Sequence, residues 1–274
     1  MKVDYHINIL PDDISKGTPH KFDENGVIMS KIPYTQEYHY HTTTIASYIL
    51  SNLDSKKVFY PQLKWLLENQ DDDGLYWHDF TLPFYDFEKP WVGGLAQGLA
   101  ISALIRTSYA DEAKRAFYGL CKKCIMTDRD KNVWIAEYPK IPTILNGFIY
   151  ALFGVYDIIP YTKKARILWD DCLRTLYNNL PKYDIGYWSR YDLETGIPST
   201  EFYHKIHIDQ MGVLSDLSQG HGDIFRLYNR KWQWQLNHVW SRLRAKIKRD
   251  RMIIKKHGAF GIYNCYKEKK RWLN

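Results

Sequence analysis

The sequence predicts a mainly α fold: an incomplete α/α toroid of helical hairpins behind a short irregular N-terminal segment. Three observations predict it. From Thr42 onward apolar residues recur at helical spacing. The helical stretches come in pairs, about four hairpins in all. A weak internal repeat closes two of them: Trp65 to Gln70, Asp71-Asp-Asp-Gly74, then Tyr76-Trp77, and Leu176 to Tyr183, Asp184-Ile-Gly186, then Tyr187-Trp188. Glycine suits the left-handed turn that ends a helix. Helix pairs closed by such loops recur in α/α toroids.

Residues 1–41 are irregular, rich in Pro, Asp and Tyr, and read as an extended lead-in with a short strand or two. Residues 42–240 form the helical body, and 241–274 a basic C-terminal tail. Within the body, helical spacing runs from Thr42, over Val58–Asn69, Leu95–Tyr109, Asp111–Met126, Ile144–Ile158, Thr162–Leu180, Tyr203–Ser218 and Ile224–Ile254. Asp111 is placed to cap its helix, with Glu112 favouring the dipole. Two long aromatic connections, residues 76–91 and 133–139, break the pattern and are where function is expected.

Composition narrows the class. The chain has 274 residues, 45% hydrophobic, with no run near the ~20 apolar residues that span a bilayer. The first residues, Met1-Lys2-Val3-Asp4, lack the apolar core of a secretory signal, so a cytoplasmic location is expected. A net charge of +7 attracts anions, and the 22 Tyr and 10 Trp suit stacking on sugars or bases. No nucleic-acid motif accompanies the charge, so no nucleic-acid partner is expected. Cys121-Lys-Lys-Cys124 has zinc-like spacing, but no second Cys or His pair stands near, and it lies in a helical stretch. Those two, Cys172 and Cys265 read as structural or incidental thiols, and no metal is expected. From Ser241 to Lys256, basic residues alternate with Leu243, Ile247, Met252 and Ile254, a pattern that fits a solvated face, a grip on an acidic polymer or peripheral contact with an acidic inner-membrane surface.

Four segments, in order over residues 90–215, carry a resemblance: Gly93-Gly94-Leu-Ala-Gln97-Gly98-Leu-Ala-Ile-Ser102; Glu137-Tyr138-Pro139 with Leu145-Asn146-Gly147-Phe148; Tyr183-Asp184 leading to Tyr191-Asp192-Leu193; and Tyr203-His204-Lys205-Ile-His207-Ile-Asp209-Gln210. They resemble the C-terminal catalytic domain of the D-glucuronyl C5-epimerases of heparan sulfate and heparosan. The chain has no room for the animal enzymes' large N-terminal β modules, so it looks like a bacterial-type member. It also carries Glu194 where the family has an Arg shortly after Tyr-Asp-Leu, and Arg190 stands on the other side of Tyr191.

The resemblance implies conversion of D-glucuronic to L-iduronic acid, or an equivalent uronate inversion, within an anionic polysaccharide of capsule type. It implies no cofactor and a homodimer. The C5 proton is weakly acidic beside a carboxylate, so its removal needs charge stabilisation and an acid/base group on each ring face. The resemblance puts Tyr138, Tyr191 and Tyr203 in the catalytic cluster with Glu137. A phenol, ordinarily near pKa ~10, serves as donor or, lowered by a cation, as base. Arg190, His204, Lys205 and His207 supply nearby charge and carboxylate contact. His204 and His207, three residues apart, lack a third metal ligand. Asn146 and Gln97 either bind sugar hydroxyls or cap backbone groups. Trp77, Phe84, Tyr85, Trp91 and Trp134 either line a glycan cleft or form a satellite cluster under the loops. If they line the cleft, Trp91→Ala weakens polysaccharide binding and spares the fold. Two other functions compete: a polysaccharide lyase or uronate-acting glycosidase on a similar scaffold, which as a lyase would create a C4–C5 double bond, and a non-catalytic glycan-binding protein.

Overall fold

The computed structural model describes residues 9–11, 14, 19–32, 37–82, 89–218, 220 and 222–255. The lead-in folds as an antiparallel sheet, β1 (His20–Phe22), β2 (Ile28–Lys31) and β3 (Tyr38–His39), in that spatial order. Along β2 the side chains alternate, with Ile28 and Ser30 buried. Ser30 Oγ lies 2.6 Å from Thr44 Oγ1, which ties the sheet to the first helix.

The rest is mainly helical, as the spacing predicts. The helices are α1 (Thr42–Ser51), α2 (Lys56–Glu68), α3 (Gly94–Arg106), α4 (Ala110–Lys123), α5 (Leu145–Ile158), α6 (Lys163–Tyr183), α7 (Glu201–Leu217) and α8 (Gly222–Asn237). Residues 239–255 form a further helix, α9. Each odd-numbered helix from α1 to α7 packs on the even one that follows it, and α1, α3, α5 and α7 touch in succession. This makes a row of hairpins with an inner and an outer layer. The inner helices are apolar almost all round: α3 is buried from Gly94 to Leu104, and α5 from Leu145 to Val155. The outer helices α2, α4 and α6 are amphipathic, as helices facing water on one side must be. Helices α3 and α5 cross backbone to backbone. A Cβ on Gly98 would fall 2.4 Å from Ala151 Cα, and one on Gly154 2.1 Å from the Gly98 carbonyl oxygen. That contact outweighs the ~1 kcal/mol a helical glycine costs.

Several boundaries differ from the sequence reading, each for a local reason. Helix α4 stops at Lys123, and Ile125–Thr127 (β4) pairs antiparallel with Val133–Ile135 (β5), a short hairpin that the helical spacing hid. The N-cap of α4 is Tyr109 rather than Asp111, which lies in the first turn. Helix α6 runs beyond Leu180, through Pro181, to Tyr183. Helix α7 starts at Glu201 because Thr200 Oγ1 accepts from the Tyr203 N–H at 3.3 Å. The single helix expected over 224–254 is broken at His238. Its Nδ1 lies 2.7 Å from the Trp234 carbonyl, the acceptor its own backbone N–H would need, and that N–H turns to Gln235 instead. Cys121, Cys124 and Cys172 are free thiols; burial pushes Cys121 up to about 11 and Cys124 up to about 12, so neither is a thiolate near neutrality. Cys265 lies outside the described residues.

Both glycines of the internal repeat take left-handed backbone, Gly74 at φ +80° and Gly186 at φ +88°. Their turns are nevertheless built differently. At the first, Asp71 Oδ1 accepts from the Leu75 N–H at 2.7 Å and Oδ2 from Trp77 Nε1 at 2.7 Å, while the Gly74 N–H donates to the Asp71 carbonyl. The same pattern recurs at Asp128, with the Asn132 N–H, Trp134 Nε1 and the Lys131 N–H. It recurs again at Asp23, with the Val27 N–H, the Tyr40 hydroxyl and the Gly26 N–H. The residue three after the Asp is left-handed each time: Gly26, Gly74 and Lys131. At Asp184 the glycine comes two residues later, its N–H donates to Oδ1 at 2.6 Å, and Oδ2 pairs with Lys231.

Candidate active site

Three backbone ties bring separate segments to one place. The Gly94 N–H donates to the Ala136 carbonyl at 2.8 Å, fixing the strand end that carries Glu137 and Tyr138. The Leu145 N–H donates to the Tyr191 carbonyl at 3.0 Å, and the Tyr183 hydroxyl to the Thr143 carbonyl at 2.8 Å. The start of α5 is thereby pinned to the 183–193 segment. Tyr203 sits in the capped first turn of α7.

The result is a polar cluster of Glu137, Tyr138, Tyr191 and Tyr203. The rings of Tyr191 and Tyr203 lie 4.9 Å apart and a side-chain hydrogen bond joins them. All three tyrosines keep part of their surface open to solvent. Glu137 is buried, 5% exposed, over Gly147, where even a Cβ would fall 1.9 Å from its Oε2. That glycine makes room for the carboxyl. Burial pushes the Glu137 carboxyl up to about 8, against the pull of a hydrogen bond with Tyr138. It is therefore largely a neutral acid at pH 7. Burial, and then the Glu137 carboxyl, push the Tyr203 phenol up to about 12. The lowering by a cation expected from the sequence is reversed at this phenol.

The other expected residues divide. Arg190 is half-buried, its guanidinium over Gly196 and its Nε without a hydrogen-bond partner among the described residues. Asn146 is buried at the start of α5, and its carbonyl accepts from Gln210 Nε2 at 2.9 Å. The side-chain oxygens Asn146 Oδ1, Gln210 Oε1 and Glu137 Oε2 are buried with no hydrogen-bond partner among the described residues. Such orphaned acceptors are costly unless donors reach them.

His204 and His207 lie in the core instead of opening to a ligand. His204 stacks on Trp188 with centroids 3.7 Å apart; Ser189 Oγ lies 2.7 Å from its Nδ1 and 2.8 Å from that of His207. Burial lowers the His204 imidazole to about 4 and His207 well below the usual histidine range, so both are neutral and supply no positive charge. Lys205 points outward and pairs with Glu201 at 2.9 Å. Gln97 caps backbone: its Oε1 accepts from the Tyr76 N–H, and its Nε2 donates to the Gly74 and Ala116 carbonyls. Both amide hydrogens are used and the residue is wholly buried, so it is closed to sugar hydroxyls.

Among the rim aromatics, Trp91 is 3% exposed, donates Nε1 to the Phe80 carbonyl, and stacks on His78 beneath Tyr138. Trp134 is buried in the main core. Both belong to packed clusters, so Trp91→Ala is expected to loosen the fold, contrary to the cleft reading. Trp77 is exposed on its Asp71 turn. Phe84 and Tyr85 lie outside the described residues.

Three residues were missed as neighbours of the cluster: Gln210, whose Nε2 donates to the Asn146 carbonyl, Tyr150 and Asp209. Tyr150 lies one turn after Asn146 on α5, and Asp209 on α7; the charges of Asp209 and Tyr203 both reach the Tyr150 phenol, which burial holds above the ordinary range. For Tyr150 the i,i+4 spacing from Asn146 was the available signal, hidden because Tyr150 resembles any apolar core residue; for Asp209 helical spacing from His204 gave none. Among the described residues no group of three or more His, Cys, Asp or Glu could hold a metal ion. None of the described helices is long and apolar enough to cross a membrane.

The family model described as D-glucuronyl C5-epimerase C-terminus matches residues 70–234. The chain is 28% identical over 192 residues to a D-glucuronyl C5-epimerase of Caenorhabditis elegans, covering 55% of this chain and 30% of that enzyme. It is 30% identical over 177 residues to an uncharacterised protein of Methanocaldococcus jannaschii, covering 57% of this chain and 56% of the other. The chain thus spans about a third of the nematode enzyme's length and just over half of the archaeal protein's. The matched span includes the Glu137-Tyr138 strand end, the Tyr191 segment and the first turn of α7, and on that ground the chain belongs to the D-glucuronyl C5-epimerase family.

Proposed function

We propose that this chain inverts C5 of a D-glucuronic acid residue to give L-iduronic acid, or an equivalent uronate, within an anionic polysaccharide. The observation that carries the reading is the contact of Tyr191 and Tyr203, 4.9 Å apart, beside Glu137 with its carboxyl pushed up to about 8. One tyrosine, as phenolate after losing its proton to solvent, takes the C5 proton, and the other, as phenol, gives its own proton to the opposite face; exchange with solvent then restores both. With its phenol pushed up to about 12, Tyr203 rests protonated and suits the donor's part. Glu137, neutral at pH 7, donates a hydrogen bond to the uronate carboxyl and stabilises the enolate-like charge without adding a like charge. Arg190, whose Nε has no hydrogen-bond partner among the described residues, is the cation of the reading in place of the histidines. Asn146 Oδ1 and Gln210 Oε1 accept from sugar hydroxyls. The cytoplasmic location, the capsule-type polymer and pairing of two chains belong to the same reading.

The test is incubation with heparosan in heavy water, following C5 by NMR. Deuterium at C5 with chain length unchanged is expected. A new ultraviolet-absorbing double bond and shorter chains would assign the protein to the lyases, and binding without exchange to the non-catalytic glycan readers.

A further inference from the structure

We infer that α9 docks on an anionic membrane surface. This inference stands apart from the proposed reaction. Ser241 and Ala245, one turn apart, are buried and mark the face of α9 that packs on the body. Roughly opposite, at two-turn spacing, stand Trp240, Ile247 and Ile254, with Leu243 between them. Trp240 is 80% exposed, and the other three each exceed 40%. A stripe of large apolar groups on the outward face of a helix is unusual in a protein that meets only water.

The charges name the occupant. Residues 239–255 carry seven Lys or Arg against the single Asp250. Arg244 and Arg251 border the stripe on one side and Lys246 on the other, with Arg244 also lying 4.3 Å from the Tyr187 ring. A second copy would set like charge against like charge. An acidic glycan would meet the basic residues but leave Leu243, Ile247 and Ile254 in water. An acidic bilayer satisfies both: headgroups take the basic flanks, the acyl boundary takes the stripe, and a tryptophan suits the interface between them. Helix α9 lines hollows together with Tyr187, Trp188 and Ser199, on the segment that carries Tyr191. Docking would therefore hold the tyrosine cluster at the membrane.

The experiment is flotation of the full chain with phosphatidylcholine vesicles, with and without roughly one third phosphatidylglycerol. Binding to the acidic vesicles alone is expected, weakened by salt. The double variant Trp240→Ser, Ile247→Ser changes only exposed side chains; it should keep the wild-type melting temperature and lose at least about tenfold in partition. Absence of wild-type binding, equal binding to neutral vesicles, or undiminished binding by the variant would overturn the inference. So would a wild-type dimer that the variant converts to monomer without any vesicle binding, which would give the stripe to a second copy.

Discussion

Two polar clusters flank the 183–200 segment, and they are built to opposite ends. On one side, Ser189 gathers His204, His207 and Ser199 into a network wholly shut off from water. Its imidazoles are kept neutral. On the other, Tyr191 and Tyr203 remain partly open, and Glu137, Asn146 and Gln210 present buried oxygens with no partner among the described residues. Both clusters contain groups that titrate, and both lie within a few residues of each other in the chain. The difference is satisfaction: among the described residues the first leaves only His207 Nε2 without a hydrogen-bond partner, whereas the second leaves two amide oxygens and an oxygen of the Glu137 carboxyl for a ligand to meet. A shifted pKa alone does not separate the two, since burial shifts groups in both.

The comparison breaks first at the tyrosines. Tyr203→Phe, and likewise Tyr191→Phe, should lower C5 exchange by about 10²–10⁴ while the melting temperature holds. Near-normal exchange in the Tyr203 variant would take that residue out of the chemistry. Next comes Glu137→Gln, expected to cost on the order of 10² in exchange and to stabilise the fold. The sign follows from linkage. The Glu137 carboxyl lies at about 8 folded against an ordinary 4.5, so folding stability falls as pH rises from about 4.5 to 8. The variant removes that loss, and urea titrations should show its advantage growing across the same range to a few kcal/mol.

The histidine side runs the other way. With His204 at about 4 and His207 lower, against an ordinary 6.5, the unfolded chain takes up protons first, and stability falls as pH drops from about 6.5 toward 4. Ser189→Ala should destabilise by about 1–3 kcal/mol, because it strands two buried imidazoles, and should leave exchange per folded molecule unchanged. A matching loss of exchange would merge the two clusters into one site. The smallest effect belongs to Lys205→Ala. An exposed i,i+4 pair with Glu201 contributes at most about 0.5 kcal/mol, and neither stability nor exchange should move beyond that.

Periodicity made the helices legible, and their grouping into hairpins followed from the order of the helical stretches and the repeat that closes two of them; the contrast of inner stretches such as 145–155 with amphipathic outer ones such as 163–180 emerged in the structure. It could not show the β4–β5 hairpin, since Ile125 and Met126 continue a helical spacing that their backbone abandons. The tyrosines and Glu137 were legible through motif order alone. The roles of His204, His207, Gln97 and Trp91 were not. Each is polar or aromatic in a functional-looking motif, and only the hydrogen-bond partners, Ser189 for the histidines and the Tyr76, Gly74 and Ala116 backbone for Gln97, give it a packing role. Likewise the repeat visible in the letters joins Gly74 to Gly186, whereas the repeat in hydrogen bonds joins Asp71 to Asp128 and Asp23.

That threefold turn behaves as an interchangeable part, one carboxylate knotting a five-residue bend and reaching out to an aromatic donor. Two copies carry glycine at the left-handed position and the third makes do with Lys131 at φ +62°. A side chain held there costs about 1–2 kcal/mol, partly offset by the freedom glycine adds to the unfolded chain. Lys131→Gly should therefore raise stability by roughly 0.5–1 kcal/mol, a spare margin that this scaffold has left untaken at one of its three corners.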